Sequence, residues 1–389
     1  MELDAFRWLL TDEGQQLLTD ASTAGRPGSD DELALQAELR KRASAAQVAV
    51  ALTQVELRRK AEPKFGALAG RMYFTPDGLE QATRLAVAKH RAGRLQAAVT
   101  SSLIDLGCGI GGDLIASAAA GITTAGVDLD PVRVAVAEAN LAALDLPGAV
   151  AVADATIVDT SPFDVAFADP GRRTGRGRTF SPEGWSPPWS FVEELLMRSA
   201  CVKVAPGIPH DLVPVGVEAE WVSDHGEVKE ACLWSGRLST TERRATVIGR
   251  GGLATITDED DPGAGVRPVG DYLYEPDGAV VRAGLVTAVA AGVEGGLLDE
   301  HIAYVVSDRS FHTPFARGYR VVEELPYREK QLKAALRERD IGALTIKKRG
   351  VSVSPDELRK RLQLRGDATG TLVLTRVAGH GTALLVEPF

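Results

Sequence analysis

Residues Leu103-Ile-Asp-Leu-Gly-Cys-Gly-Ile-Gly-Gly-Asp113 decide how the chain folds. An apolar run carries Asp105 and is followed by glycines at 107, 109 and 111, a D-x-G-x-G-x-G pattern. Glycines at the end of a strand let the backbone turn tightly and approach a ligand closely at the mouth of a helix. Alone, such a loop also suits a dinucleotide site or a plain tight turn. The surroundings narrow the choice. SSLIDL (101–106), TTAGVDL (123–129), AVAVAD (149–154), FDVAFAD (163–169) and CVKVAP (201–206) read as buried strands separated by helices or long loops. That alternation indicates an α/β fold with a parallel sheet and helices on both faces. EAEWVSD (218–224) and KEACLWS (229–235), around a His-Gly turn, read as a closing hairpin. Asp105, Asp128, Asp154 and Asp169 each end one of the first four strands, as a ligand crossing the carboxyl edge of the sheet requires.

Upstream, residues 1–98 have a helical pattern. Leu35, Leu39, Ala43, Ala46, Val50, Thr53 and Leu57 recur at steps of three and four, which predicts one long helix over 31–60. Asp30 and Asp31 precede it as cap and first turn. Thr75 and Pro76 mark the N-cap and first turn of another helix. Downstream of a 99–250 sheet domain, residues 251–270 are rich in Gly, Pro and acids, a linker signature. Residues 271–389 read as a second, smaller α/β domain ending in the hairpin TLVLTRVAG–HG–TALLVEP.

Composition excludes several classes. With 44% apolar and 25% charged residues among 389, the chain is neither disordered nor fibrous. It lacks the roughly 18 consecutive apolar residues of a membrane helix. Its acidic start carries no basic n-region, so a cytoplasmic location is expected. Cys108, Cys201 and Cys232 are too scattered for a disulfide framework or a zinc site, and the six histidines form no H-x₃-H or HExxH group. No metal and no membrane partner are expected, and the residues carry no signal for oligomeric state. Net charge is −9, yet Pro326–Gly366 holds 12 Lys/Arg against 5 Asp/Glu, a local +7. Partner binding follows the field at one face rather than the total.

Taken together, DLGCGIGG, GVDLDP with the helix RVAVAEANL after it, VADAT and FADP resemble the class I S-adenosylmethionine-dependent methyltransferases. That resemblance implies a Rossmann-like sheet with a terminal antiparallel hairpin, and S-adenosylmethionine as cofactor. It implies that Asp105, Gly107, Gly109 and Gly111 hold the methionine and ribose end, that Asp128 binds the ribose hydroxyls and that Asp154 binds the adenine amino group. A Rossmann dehydrogenase is the opposing reading; the acids at 154 and 169 and the hairpin stand against it. GCGIGGD, preceded by YFTPDGLEQAT and followed by D-P, is similar to RNA-guanine methyltransferases of the trimethylguanosine-synthase type. FADPGRR is closer to a bacterial group with a D-P-x-R-R motif and a C-terminal THUMP-like domain, whose pattern YLYEPDGAVVRAG, IKKRG and TLVLTR match.

Asp169-Pro170 stands where amino-group methyltransferases carry [N/D/S]-P-P-[Y/F/W]. A side-chain oxygen and a backbone carbonyl there accept the two N–H bonds of an exocyclic amine and turn its lone pair toward the methyl group. Gly171-Arg172-Arg173 replaces the second proline and the aromatic, so Arg172 and Arg173 are candidates to stack on a base or bind phosphate. The loop from 171 to 190 adds Arg176, Arg178, Trp185 and Trp189 and reads either as a substrate lid or as a plain surface loop. Lys347, Lys348 and Arg349 in the basic C-terminal region are candidate RNA contacts, since THUMP-like domains grip RNA. The expected function is methylation of structured RNA (tRNA or rRNA), at a base exocyclic amino group. Two rivals stand beside it: a small-molecule or protein methyltransferase, and a non-catalytic cofactor- and RNA-binding protein.

Overall fold

A computed structural model describes residues 1–23, 31–172 and 185–389, without side chains at 31–34, 172, 185 and 186. The chain forms two compact units. The first is Met1–Val204, Ile208–Val217 and Cys232–Ser239; the second is Ala205–Gly207, Glu218–Ala231 and Thr240–Phe389.

The first unit opens with helices α1 (Leu3–Leu9), α2 (Asp12–Thr23), α3 (Asp31–Leu39), α4 (Ala45–Phe65), α5 (Pro76–Gln81) and α6 (Leu85–Ala97). The single helix expected over 31–60 is therefore two. Ser44 starts α4 afresh: its hydroxyl accepts the Gln47 N–H at 3.3 Å and the Gln47 side chain accepts the Ser44 N–H at 2.8 Å. This capping box satisfies two backbone donors that a continuous helix would have used, so apolar spacing alone does not reveal the break. Asp30 lies outside the described residues. Thr75 caps α5 as expected, its hydroxyl accepting from the Gly78 N–H.

The sheet of this unit follows: β1 (Ser102–Leu106), α7 (Gly112–Ala119), β2 (Thr123–Asp128), α8 (Pro131–Ala143), β3 (Ala149–Val152), β4 (Val165–Ala168), the short antiparallel pair β5 (Gly171–Arg172) and β6 (Trp185–Ser186), α9 (Trp189–Leu195) and β7 (Ala200–Val204). The main strands are parallel in the order β7-β4-β1-β2-β3. The order reverses at β1, and ligands of such sheets bind beyond the strand ends at that point. Buried Phe6, Phe65 and Phe74 from the helical region share one core with Ile110, Leu114 and Val136 from the sheet's loop and helices. The N-terminal helices thus buttress the glycine loop from behind.

The second unit contains β8 (Glu218–Asp224), most of β9 (Glu227–Trp234), β10 (Arg243–Gly249), β11 (Gly252–Thr257), β12 (Tyr272–Pro276), α10 (Gly278–Ala283), α11 (Val286–Gly292), β13 (Gly296–Asp299), β14 (Ile302–Ser307), β15 (Ala316–Leu325), α12 (Glu329–Glu338), β16 (Ile341–Lys348), α13 (Pro355–Leu362), β17 (Ala368–Val377) and β18 (His380–Pro388). His225 and Gly226, at φ 53° and 82°, make the tight β8–β9 turn, the geometry that matches strand twist in a two-residue hairpin.

The stretch 251–270, expected to be a linker, holds a strand over Gly252–Thr257. Leu253 to Thr257 pair antiparallel with β10, and Arg267 donates its N–H to Leu297 O at 2.8 Å. The β-branched run Thr255-Ile256-Thr257 outweighs the Gly and acidic flanks. The remaining strands run in the order β13-β14-β12-β15-β18-β17-β16. Helices α12 and α13 cover one face, Leu332, Leu336, Leu358 and Leu362 packing on Leu344 and Leu372.

Candidate functional site

The glycine loop is shaped by bonds to the end of β2. Gly107 and Cys108 both donate their N–H to Val127 O at 2.9 Å, and Gly109 donates to Asp128 Oδ2 at 3.0 Å. Asp128 Oδ1 accepts the Asp130 N–H at 2.9 Å. The three loop glycines have φ of 107°, 54° and 84°, a region that L side chains rarely adopt. Gly126 on β2 permits the close approach: a Cβ there would stand 2.7 Å from Leu114 Cδ1 and 2.9 Å from Cys108 Cβ. Buried Asn140 of α8 locks the loop from the other side, donating to Ile110 O at 2.8 Å and Tyr73 O at 3.0 Å.

A pocket of about 350 Å³ opens beyond the loop. The four acids singled out in the sequence, Asp105, Asp128, Asp154 and Asp169, all line it, as do Gly107 and Gly109. Gly111 lies behind them as the left-handed N-cap of α7. Asp154 Oδ1 accepts from the Thr156 N–H at 2.9 Å and hydroxyl at 2.8 Å, bonds that hold its carboxyl below the usual range.

Asp105 behaves oppositely. It is buried, and its Oδ1 has no hydrogen-bond partner among the described residues. Burial first, then the charges of Asp113 and Asp169, push its carboxyl well above the usual range. An orphaned buried carboxyl is costly unless a cationic donor arrives. The α-ammonium group of a methionine moiety is such a donor, so the residues present fit S-adenosylmethionine. Cys108, which the sequence leaves as loop filler, is buried, and its thiol is pushed up by burial and by the neighbouring Asp105 and Asp128.

The structure adds a chain of polar groups not singled out in the sequence. Lys203 of β7 donates to Asp169 Oδ2 at 2.5 Å and to Thr83 Oγ1 at 3.2 Å. Thr83 donates to Asp113 Oδ2 at 2.8 Å, and Asp113 Oδ1 pairs with Arg91. The Arg91 guanidinium lies 4.6 Å from the centre of the Phe167 ring. One signal was available: Lys203 is the lone charge in the apolar run CVKVAP.

The second unit divides its expected contacts. Lys347 bonds Glu275 at 2.5 Å and lies over the Tyr319 ring, while Arg349 donates to Ala303 O at 2.9 Å over the Tyr304 ring. Both are half-buried and held by the protein itself. Lys348, on the opposite side of β16, is exposed and has no such partner among the described residues. Lys330, Arg337, Lys360 and Arg365 are likewise exposed around α12 and α13. The Arg172 side chain, Arg173, Arg176 and Arg178 lie outside the described residues.

Strand order, loop and acids together define an α/β protein that takes a nucleotide-like ligand at the switch point of its sheet. Two relatives, both described as uncharacterized S-adenosylmethionine-dependent methyltransferases from strains of Mycobacterium tuberculosis, are 39% identical over 347 residues, spanning 85% of this chain and 95% of theirs. The chain belongs to the S-adenosylmethionine-dependent methyltransferases: it is an enzyme of that class, and S-adenosylmethionine is its cofactor. A crystal structure of a candidate methyltransferase from Porphyromonas gingivalis W83 shares the fold, with a TM-score of 0.73 at 21% identity over 99% of this chain and 97% of that one. Residues 316–388 match the family described as THUMP domain-like, and residues 2–61 match a domain of unknown function. Among the described residues no helix is long and apolar enough to cross a membrane, and no cluster of His, Cys, Asp or Glu is set to hold a metal ion.

Proposed function

We propose that this enzyme methylates an exocyclic base amino group of structured RNA, tRNA or rRNA, in the cytoplasm. The observation that carries the reading is Asp169: it directly follows β4, lines the pocket beyond the glycine loop and precedes Pro170. The cofactor supplies an electrophilic methyl group on a sulfonium. The Asp105 carboxyl would take the methionine ammonium, the glycine loop would bring its own backbone close to the cofactor, Asp128 would accept from the ribose hydroxyls and Asp154 from the adenine amine. A carboxylate offers about four acceptor sites, so Asp128 can keep its two backbone bonds while taking the ribose. Asp169 and the Pro170 carbonyl accept the two N–H bonds of the target amine. The bound cofactor would supply its methyl group to the nitrogen held by Asp169 and Pro170, and the amine proton would leave to water. Catalysis is then chiefly positioning.

The THUMP-like match and the exposed cations of the second unit support an RNA substrate, as does the G-R-R sequence at 171–173, which aligns the chain with the D-P-x-R-R group. Residues 1–98 and 99–250 would carry the chemistry, and residues 271–389 the capture of RNA. Transfer of labelled methyl groups to total RNA from a deletion strain, followed by nucleoside mass spectrometry, tests the reading. An N-methylated base supports it; a methylated ribose, or label only in protein or small molecules, refutes it.

A further inference from the structure

We propose that Lys203 is a positioning residue for methyl transfer, orienting the Asp169 carboxylate and balancing its charge beside the cofactor's sulfonium; this rests on the role given to Asp169 above. Lys203 sits within β7 between buried Val202 and Val204, and its side chain is only 16% exposed. An ammonium is rarely placed so deep unless it is paired. Its partners are specific: Asp169 Oδ2 at 2.5 Å and the Thr83 hydroxyl at 3.2 Å, which itself is fixed by Asp113. Both Asp169 and Thr83 line the cofactor pocket. Lys203 therefore occupies one carboxylate oxygen of Asp169, and Oδ1 has no other bond among the described residues. A carboxylate pinned at one oxygen presents the other in one direction, which is what an acceptor N–H needs.

The charge balance points the same way. Asp105 on β1 feels the charges of Asp113 from α7, Asp169, Asp128 from β2 and Arg91 from α6, so these groups share one neighbourhood. Arg91 is already taken by Asp113. Lys203 is thus the cation that offsets Asp169 itself. S-adenosylmethionine carries a sulfonium, whereas the product S-adenosylhomocysteine is a neutral thioether. Removing one member of the Lys203–Asp169 pair leaves an uncompensated charge that the sulfonium feels and the thioether sulfur does not.

Calorimetric affinities for S-adenosylmethionine and S-adenosylhomocysteine test this without any acceptor. Lys203→Met should shift the preference several-fold toward the sulfonium, and Asp169→Asn should shift it several-fold the other way. Lys203→Arg should restore the wild-type ratio. With labelled RNA as acceptor, Lys203→Met should lower kcat while leaving KM for RNA unchanged, and Lys203→Arg should recover much of the loss. If Lys203→Met does not fold, the shift in Asp169→Asn and the behaviour of Lys203→Arg still decide. An unchanged preference in the Lys203→Met or Asp169→Asn protein overturns the proposal. Absence of transfer to RNA by wild type, with the preference shifts intact, overturns the RNA reading alone.

Discussion

Charge is handled in opposite ways in the two units. At the cofactor pocket, Arg91, Asp113, Thr83, Lys203 and Asp169 are bound to one another in sequence, so each group's state depends on its neighbours. Around α12 and α13, Lys330, Lys348, Lys360 and Arg365 stand in solvent, each acting nearly alone. A linked chain tolerates few substitutions, because breaking one bond strands a partner in low dielectric. Isolated surface cations add up, and losing one subtracts about one increment. Lys347 and Arg349 show that the boundary runs within three consecutive residues: they belong to the paired kind, although Lys348 between them does not.

The sharpest difference should appear at Asp169. Asp169→Asn leaves shape and packing in place but alters the group proposed to orient the acceptor. Turnover should fall about 100-fold or more, the scale of a misplaced reactant, while cofactor affinity moves far less. Equal losses in both would make Asp169 a cofactor ligand and move it out of the acceptor site.

Next in size is Asp128→Ala. It should remove the proposed charge-assisted bonds to the ribose, each on the order of 1.5–3 kcal/mol, so both cofactor and product should bind roughly 10- to 100-fold more weakly. Unlike the Lys203 and Asp169 variants, it should not discriminate between them. A selective loss of S-adenosylmethionine alone would contradict the ribose assignment.

The surface cations should behave incrementally. Phosphate contacts release counterions, so affinity for the proposed RNA should fall linearly with log salt. Replacing Lys330, Lys348 and Lys360 together by Ser should flatten that slope by up to about three units, leaving cofactor affinity and Tm unchanged. Lys347→Met should do the reverse: little change in slope, but a lower Tm from losing a half-buried bond to Glu275, about 1–3 kcal/mol. Identical slopes for wild type and the triple variant would take these cations out of RNA capture.

The same contrast explains what the sequence discloses. The glycine loop and the four strand-end acids were legible because each is tied to a local pattern: a strand, a turn, a helix start. Strand period exposed CVKVAP as β7 but not the destination of its lysine, since the Thr83 and Asp169 bonds join residues 120 and 34 positions away. The partner of Lys347 is hidden for the same reason: charge density in a run says nothing about Glu275, 72 positions upstream. The Ser44 capping box and β11 were missed where a local signal, apolar spacing in one case and Gly-rich flanks in the other, outvoted a shorter one.

The smallest effect concerns Asp105, a buried carboxyl whose Oδ1 has no hydrogen-bond partner among the described residues. Burial, and after it Asp113 and Asp169, raises its folded-state carboxyl above the ordinary range. In the unfolded chain it titrates near the usual value of about 3.9, so above that pH the unfolded chain has released a proton the folded one retains. The stability conferred by that proton is complete below the ordinary value and is lost as pH rises toward the folded value. Asp105→Asn cannot ionise and escapes the loss. Its Tm should match wild type in acid and exceed it near neutrality. The cofactor reverses the preference, because a cationic ammonium favours the carboxylate. Binding by wild type should therefore expel a proton, seen as a binding enthalpy that varies with the ionisation enthalpy of the buffer. Asp105→Asn should bind more weakly and show less of that dependence. A buffer-independent enthalpy in wild type, with equal Tm values at both pH extremes, would mean that the Asp105 oxygen does not receive the cation.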